Sequence, residues 1–248
     1  MMKKSNDFIY GVNPVFEALE EGAMIDKILI KRSKSDEIIN SIIARAKQLS
    51  IPLFFVPQEK LDRITRKNHQ GCIALSSPID FHSIEDVLPQ IFEDGELPLI
   101  MILDSLTDVR NFGAISRTCL SAGFQTIIIP SKNFARVSPD AVKTSAGALL
   151  KIPICREENL SDVVSFLQQS GVQVIAATEK AQDNYYQVDF TRPTAIIMGS
   201  EDTGVSTELM RKAEQLVKIP MHNEFDSLNV SVAAGVLSFE AVKQRLTE

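Results

Sequence analysis

Between residues 99 and 219 the sequence repeats one device: a short, largely unbroken apolar run that gives way to a polar or glycine-bearing loop. The runs fall at 99–103, 126–129, 152–154, 172–177, 195–198 and 217–219, and helix-like segments alternate with most of them. Strands buried on both faces read this way, so the pattern predicts a doubly wound α/β domain around a parallel sheet; it leaves the strand order open. Ligands in such sheets bind at the carboxyl ends of strands. Three stretches, 103–118, 196–206 and 219–235, break into Gly, Asn, Asp, Ser or Glu where a strand should end. They are expected to converge on one site.

The third stretch is the densest. A helix is predicted to open at Ser227, whose hydroxyl makes it a good N-cap, with Asp226 adding negative charge at the positive helix end. Ser231, Ala233, Ala234 and Gly235 would let a ligand or another backbone approach that helix closely, although tight terminal packing would use the same residues. Other helix starts are read at Asn111, at Ser138 followed by Pro139, and near Ser161, with Gly171 ending the last.

Residues 1–80 read as a small α/β domain. It has a helix capped by Asn13 with Pro14 first and Gly22 last, strands at 28–30, 52–56 and 72–75, an amphipathic helix from Ser35 to near Ser50, and a further helix around Leu61 and Ile64. Residues 81–98 carry five acids, two prolines and no base, which predicts a linker with one helical turn after Ser83. The second domain is then 99–248.

A chain of 248 residues with 44% hydrophobic content has room for two cores. No apolar run reaches the length of a membrane span and residues 1–10 lack a secretory core, so a cytoplasmic protein is expected. Cys72, Cys119 and Cys155 are odd in number, widely separated and set in apolar surroundings, which predicts buried free thiols. The net charge of −6 argues mildly against nucleic acid, yet residues 1–80 hold 12 Lys/Arg against 10 Asp/Glu, a balance of +2. Any RNA surface must therefore come from local clusters. One cluster is Arg63, Arg66 and Lys67 beside Asn68, His69 and Gln70; a solvated polar turn would read the same way. No G-x-G-x-x-G run is present, so the dinucleotide fingerprint is absent.

Taken in order, the three stretches supply Asn111, Gly113, Ala114 and Arg117; then Gly199, Glu201 and Gly204; then Ile219, Pro220, Met221 and the run from Ser227 to Gly235. This resembles the three motifs of the SpoU/TrmH family of RNA ribose 2′-O-methyltransferases, in the SPOUT superfamily, strongly over 99–248 and loosely over 8–80. The resemblance implies a C-terminal parallel-sheet domain with a trefoil knot, against the usual rule of un-knotted connections. It also implies an N-terminal α/β RNA-binding domain like those of some ribosomal proteins. The implied reaction moves a methyl from S-adenosylmethionine to a ribose 2′-hydroxyl of rRNA, closest to the subgroup acting on a guanosine of 23S rRNA, and needs no metal. A homodimer through the knotted domain is implied, with Val232, Val236, Leu237 and Phe239 near its interface.

Residue by residue, the resemblance implies acceptor-side roles for Asn111, Arg117, Glu201, Ser227 and Asn229. Arg117 would anchor a phosphate and stabilise developing alkoxide charge, since a guanidinium gives up its proton reluctantly. Glu201 would orient Arg117 or the ribose, and Ser227 and Asn229 would bond the nucleotide or brace the loop. Cofactor binding falls to Thr178, Gly199, Ile219, Met221 and Leu228, with Ala177 and Glu179 near the adenosine. Gly199 is expected to leave room for the cofactor against the backbone, and Gly204 to take a positive φ. Arg63, Arg66 and Lys67 would touch RNA phosphates. His222 varies within the family and receives no catalytic role. Lys143, Ser145 and Gly147 stand between ligand contact and helix packing, and Val109 stands where many members have proline. Two other readings remain: a tRNA ribose methyltransferase of the same family, and a non-catalytic RNA-binding or assembly factor on the same fold.

Overall fold

The chain divides between Asp80 and Phe81 into two units, in a computed structural model that describes residues 7–34, 36–222 and 227–247. In the first unit, strands β1 (Phe8–Tyr10), β2 (Ile25–Lys31), β3 (Leu53–Val56) and β4 (Cys72–Ser76) form a sheet of order β1-β4-β2-β3. Only the β2–β3 pair is parallel. Helices α1 (Val12–Glu20) and α2 (Glu37–Gln48) cover one face, where Val15, Leu19, Ile39 and Ile42 pack on Ile28, Ile30, Cys72 and Ala74. The short α3 (Gln58–Ile64) covers part of the other, through Leu61.

The helix predicted to open at Asn13 and Pro14 begins two residues earlier, with Gly11 (φ +97°) as its N-cap. Gly11 has no side chain to offer, and Gln70 Oε1 accepts from Val12 N instead, at 3.2 Å. A cap supplied from 58 residues away leaves no local sequence signal. The helix predicted from Ser35 is capped by Asp36, which accepts from Ile39 N. Position 35 lies outside the described residues.

The second unit begins with α4 (Ile84–Glu93), where the sequence predicted a linker with one helical turn. Ser83 caps it as expected, but Ile84, Val87, Leu88 and Ile91 recur at helical spacing and enter the hydrophobic core of the unit. The five acids lie on or beyond its polar side, which is why composition alone read as linker. A parallel sheet follows, of order β7-β6-β5-β10-β8-β11-β9 among the described residues. Its strands are β5 (Leu99–Leu103), β6 (Thr126–Pro130), β7 (Ile154–Glu157), β8 (Gln173–Ala177), β9 (Asp183–Asn184), β10 (Thr194–Met198) and β11 (Gln215–Lys218). The predicted run 152–154 is thus displaced to β7, and β1 and β9 are strands the sequence did not announce.

The helices between and after the strands are α5 (Val109–Ser121), α6 (Pro139–Thr144), α7 (Leu160–Gln169), α8 (Thr207–Lys212) and α9 (Val230–Leu246). Successive strand residues point to opposite faces. Ile100, Ile102, Val174, Ala176, Ala195 and Ile197 join α4, α7 and α8 in one cluster. Their neighbours Met101, Leu103, Ile175 and Ile196 are equally buried on the other side. There α5 packs against α6 and α9.

Ser138 and Pro139 open α6 as predicted, and Gly171 (φ +82°) follows the C-cap of α7. The N-caps of α5 and α7 are Asp108 and Asn159, each a short distance ahead of the predicted Asn111 and Ser161. Val109 is therefore the first helical residue of α5, the position where proline is best tolerated. All three cysteines are free and buried; loss of solvation pushes the thiols of Cys72 and Cys155 up to about 12 and raises that of Cys119 as well.

Candidate functional site

An open cleft of about 810 Å³ lies at the carboxyl ends of β8, β10 and β11, a volume within the range of small-molecule sites. Its walls are Ala177 to Lys180 after β8, Met198 to Gly204 after β10, Val217 to Met221 after β11, and Ser227, Leu228, Val230 and Ala233 at the start of α9. The cofactor residues predicted from sequence, Thr178, Gly199, Ile219, Met221 and Leu228, all line it, as do Glu201 and Ser227. Apolar walls from Met198, Val217, Val230 and Ala233 stand beside polar Glu179, Lys180 and Glu201. That mixture suits an amphipathic ligand with an aromatic base and charged ends.

The loop after β10 is a tight turn. Gly204 N donates to Ser200 O at 2.9 Å, and Thr203 N donates to Ser200 Oγ at 3.2 Å. Gly204 takes φ +66°, the left-handed region glycine enters freely. The reason for Gly199 differs from the sequence expectation of room for the cofactor. A Cβ there would stand 2.0 Å from the Gly204 carbonyl carbon and 2.1 Å from Val205 N. The two glycines fit each other first, and shape the cleft wall through that fit.

Asn229, not Ser227, is the N-cap of α9: its Oδ1 accepts from Ser231 N at 3.0 Å, and from Ser231 Oγ. The helix starts at Val230, so Ser227 and Leu228 are left as non-helical cleft wall, and Asp226 lies outside the described residues. The other half of the Asn229 amide joins the three motifs. Its Nδ2 donates to Asn111 Oδ1 at 3.2 Å and to Glu201 Oε1. Asn111 is buried in the first turn of α5, Glu201 is exposed on the β10 loop, and one side chain ties both to α9.

Arg117 does not join this group. It is exposed on α5, six residues beyond Asn111, and does not line the cleft of its own chain. His222 is exposed and also outside the lining. Ser145 is buried and braces its turn, donating to Val142 O and accepting from Leu149 N, so packing accounts for it. A Cβ added at Gly235 would meet no atom within 4 Å beyond its own helix among the described residues, so no close neighbour there explains its lack of a side chain in the single chain. Gly113 does have one: a Cβ there would lie 2.7 Å from Thr144 Cβ, at the crossing of α5 and α6.

In the first unit, Arg63, Arg66 and Lys67 are all exposed at the end of α3 and in the turn after it. His69 and Gln70 hold that turn. His69 Nδ1 accepts from Gly71 N at 3.0 Å, so its Nε2 carries the proton donated to Asp62 Oδ1 at 2.9 Å. The polar cluster is thus a brace centred on the buried His69, with three exposed cations beside it.

Sequence reasoning assigned no role to Asp104, the buried residue that ends β5. Its N–H donates to Met198 O at 2.8 Å, its Oδ2 accepts from Ser206 N at 2.8 Å, and its Oδ1 accepts from Ser105 Oγ. It clips the loop after β5 to the turn after β10. An acid placed directly behind a run of buried residues was the available signal, since a buried carboxylate must be hydrogen-bonded. Asp104→Ala is expected to cost about 1.5–3 kcal/mol, the usual worth of a charge-assisted hydrogen bond. It should also weaken cofactor binding by about tenfold while changing turnover less. Thermal unfolding and cofactor titration check the two effects separately.

The comparisons with known proteins agree with this geometry. Residues 98–239 match the SpoU rRNA methylase family, and residues 8–82 match a domain described as RNA 2′-O ribose methyltransferase substrate binding. The chain is 34% identical over 243 residues to the 23S rRNA (guanosine-2′-O-)-methyltransferase RlmB of Photobacterium profundum, covering 97% of this chain and 99% of that one. It is 30% identical to the putative TrmH family tRNA/rRNA methyltransferase YacO of Bacillus subtilis, over 98% of both. Among solved structures it is similar to an AdoMet-bound rRNA methyltransferase from Sinorhizobium meliloti, with a TM-score of 0.61 and 28% identity over 95% of this chain and 86% of that one.

Proposed function

The chain belongs to the SpoU rRNA methylase family, and on that premise we propose that it transfers a methyl group from S-adenosylmethionine to the 2′-hydroxyl of a guanosine ribose in 23S rRNA. The observation that carries the reading is the cleft itself: the second and third segments of the resemblance, after β10 and β11, wall it, and Asn229 bonds the first segment to it through Asn111. The full-length relative named for 23S rRNA guanosine supports the choice of substrate.

The cleft fits the cofactor in size and lining. S-adenosylmethionine, when bound, supplies an electrophilic methyl on a positive sulfur. The residues of the chain do the rest. Backbone groups at Gly199, Ile219 and Leu228, with Met221 and the Thr178 loop, hold the ligand in one pose. Thr178 is braced for this, its N–H donating to Val217 O at 2.9 Å and its hydroxyl accepting from Lys180 N. The acceptor hydroxyl's proton passes to a neighbouring phosphate or water as its oxygen attacks and charge is neutralised, so fixed orientation, with water displaced from the cleft by the bound substrate, supplies much of the rate. Glu201 and Asn229 position the nucleotide and the loop together, with Asn111 as the buried anchor. Arg117 anchors a phosphate and stabilises the developing alkoxide.

Because Arg117 does not line the cleft of its own chain, it acts in this reading at the site of a partner copy. The exposed apolar stripe of α9 supports a homodimer: Val232, Phe239 and Leu246 recur every seven residues and are 52%, 53% and 80% exposed. Leu237, expected near the interface, is instead core. The insertion of β10 between β5 and β8, and the packing of α9 on α5, support the knotted topology the family implies. No described helix is long and apolar enough to cross a membrane, in keeping with a cytoplasmic enzyme.

The test is direct. Purified protein with labelled S-adenosylmethionine is expected to transfer label to unmodified 23S rRNA, and nuclease mapping should place it on one guanosine ribose. Label on a base, or on tRNA alone, overturns the assignment.

A further inference from the structure

We infer that the part of the first unit's sheet left uncovered among the described residues is a stacking platform for unpaired RNA bases, built on Phe8 and Tyr10 with Lys67 beside them. This rests on the reading of the chain as an RNA methyltransferase and adds the place and mode by which its substrate is gripped. The two sides of this sheet differ. One is closed by α1 and α2. On the other, Leu61 of α3 packs with Leu29, Val56, Ile73 and Leu75, while Phe8, Tyr10 and Phe54 pack against this cluster and stay half-buried.

Register puts the aromatic residues in rows. Tyr10 lies beside Ile73, which lies beside Leu29, which lies beside Phe54. Phe8 lies beside Leu75 and then Lys27. The rings of Phe8 and Tyr10 have centroids 6.1 Å apart at an interplanar angle of 51°, next to each other on one edge strand. Flat rings on an incompletely covered sheet are the means by which small sheet domains hold splayed bases, and base–aromatic stacking tolerates any sequence because every base has a π-face.

The charge is of the right sign. Lys67 Nζ stands 5.6 Å from the Tyr10 centroid, at the outer limit of a cation–π contact. Held that loosely, it gives way to a base while its charge meets the phosphate. Arg66 is exposed in the same turn, and Arg63 is exposed at the end of α3 just before it. That turn is braced, because His69 is bonded to Asp62 and to Gly71 N, and Gln70 accepts from Val12 N at the start of α1, two residues after Tyr10 in the chain. A braced cationic rim beside aromatic rings fits a single strand with its bases on the sheet and its phosphates along the turn.

Binding of a fluorescein-labelled single-stranded 12-nucleotide RNA to the full chain, against the duplex of the same sequence, tests this. The single strand is expected to bind more tightly than the duplex. Tyr10→Leu combined with Phe8→Leu keeps the apolar packing and should weaken single-strand binding by about tenfold or more. Tyr10→Phe, which retains a ring, should bind as the native chain does. Lys67→Gln should lower the salt slope of binding by about one. The inference is overturned if the double leucine variant, unchanged in melting temperature and cofactor affinity, binds the strand as the native chain does. It is equally overturned if the duplex binds as tightly as the single strand. Loss of methyl transfer to every RNA with ring-dependent binding intact would instead remove the proposed function and leave the platform standing.

Discussion

Arg117→Ala is expected to lower methyl transfer by about 10²–10³-fold, the usual cost of removing one donor aimed at developing negative charge, while cofactor affinity stays within a few fold. The separation follows from position. Arg117 is exposed on α5 and does not line the cleft, so truncating it removes nothing that wall residues use. Its guanidinium makes no hydrogen bond or ion pair among the described residues, so stability should be little changed. Mixing adds a further readout. If Arg117 serves a partner copy, a dimer of Arg117→Ala with a cofactor-deficient variant has one site with both an intact cleft and a native arginine. Activity should therefore reappear on mixing two inactive proteins. Equal loss of transfer and cofactor affinity in Arg117→Ala would show that its place is the cleft. Failure of the mixture to recover, with both proteins dimeric by sedimentation, would show that Arg117 acts within its own chain.

How much of this was legible in the sequence depended on the range of the forces involved. The runs at 99–103, 126–129 and 195–198 became β5, β6 and β10 nearly residue for residue, because strands buried on both faces must be apolar throughout. Short strands whose pairing comes from elsewhere, Phe8–Tyr10 and Asp183–Asn184, carried no such mark. Helix ends were legible only where the cap is local and alone. Ser138 was read correctly, whereas at 227–229 two cap-competent residues stand close together. Asn229 takes the role because its Nδ2 is also wanted by Asn111 and Glu201, which lie 118 and 28 residues away in the chain. The segment 81–98 misled because five acids outweighed a helical apolar pattern of only four residues, and that pattern is what docks it in the core.

The candidate site shows the same division. The cleft-lining residues Thr178, Gly199, Ile219, Met221 and Leu228 came from motif resemblance, and the fold assembles them in one place. What resemblance left unsaid is why they must be those residues. Asp104 carries no motif, yet it bonds to both the β10 strand end and the turn that follows. The absence of Arg117 from the cleft is likewise invisible in the sequence, since linear order says nothing of which copy a side chain serves.

Gly199→Ala is expected to abolish measurable cofactor binding and to destabilise the second unit. The added methyl carbon would lie 2.0 Å from the carbonyl carbon of Gly204, 2.3 Å from its oxygen and 2.1 Å from Val205 N. These are backbone atoms, which cannot rotate aside as the tip of a side chain can. The turn from Ser200 to Gly204 must move as a body, and it is tethered on both sides. Gly204 N is bonded to Ser200 O, Val205 is buried in the core cluster, and Ser206 N is held by Asp104. The displacement therefore either breaks the Asp104 clip or strips Val205 from the core. Overpacking of this kind costs about 1–3 kcal/mol, and the moved turn is a wall of the cleft. Gly235→Ala is the contrast. Gly235 lies inside α9, and a Cβ added there would meet no atom within 4 Å beyond the helix's own backbone among the described residues, so alanine there should gain about 0.5–1 kcal/mol from helix propensity without touching the cleft. Melting curves and isothermal titration with S-adenosylmethionine separate the two cases. A Gly199→Ala protein that melts and binds like the native chain would mean that the β10 turn does not shape the site.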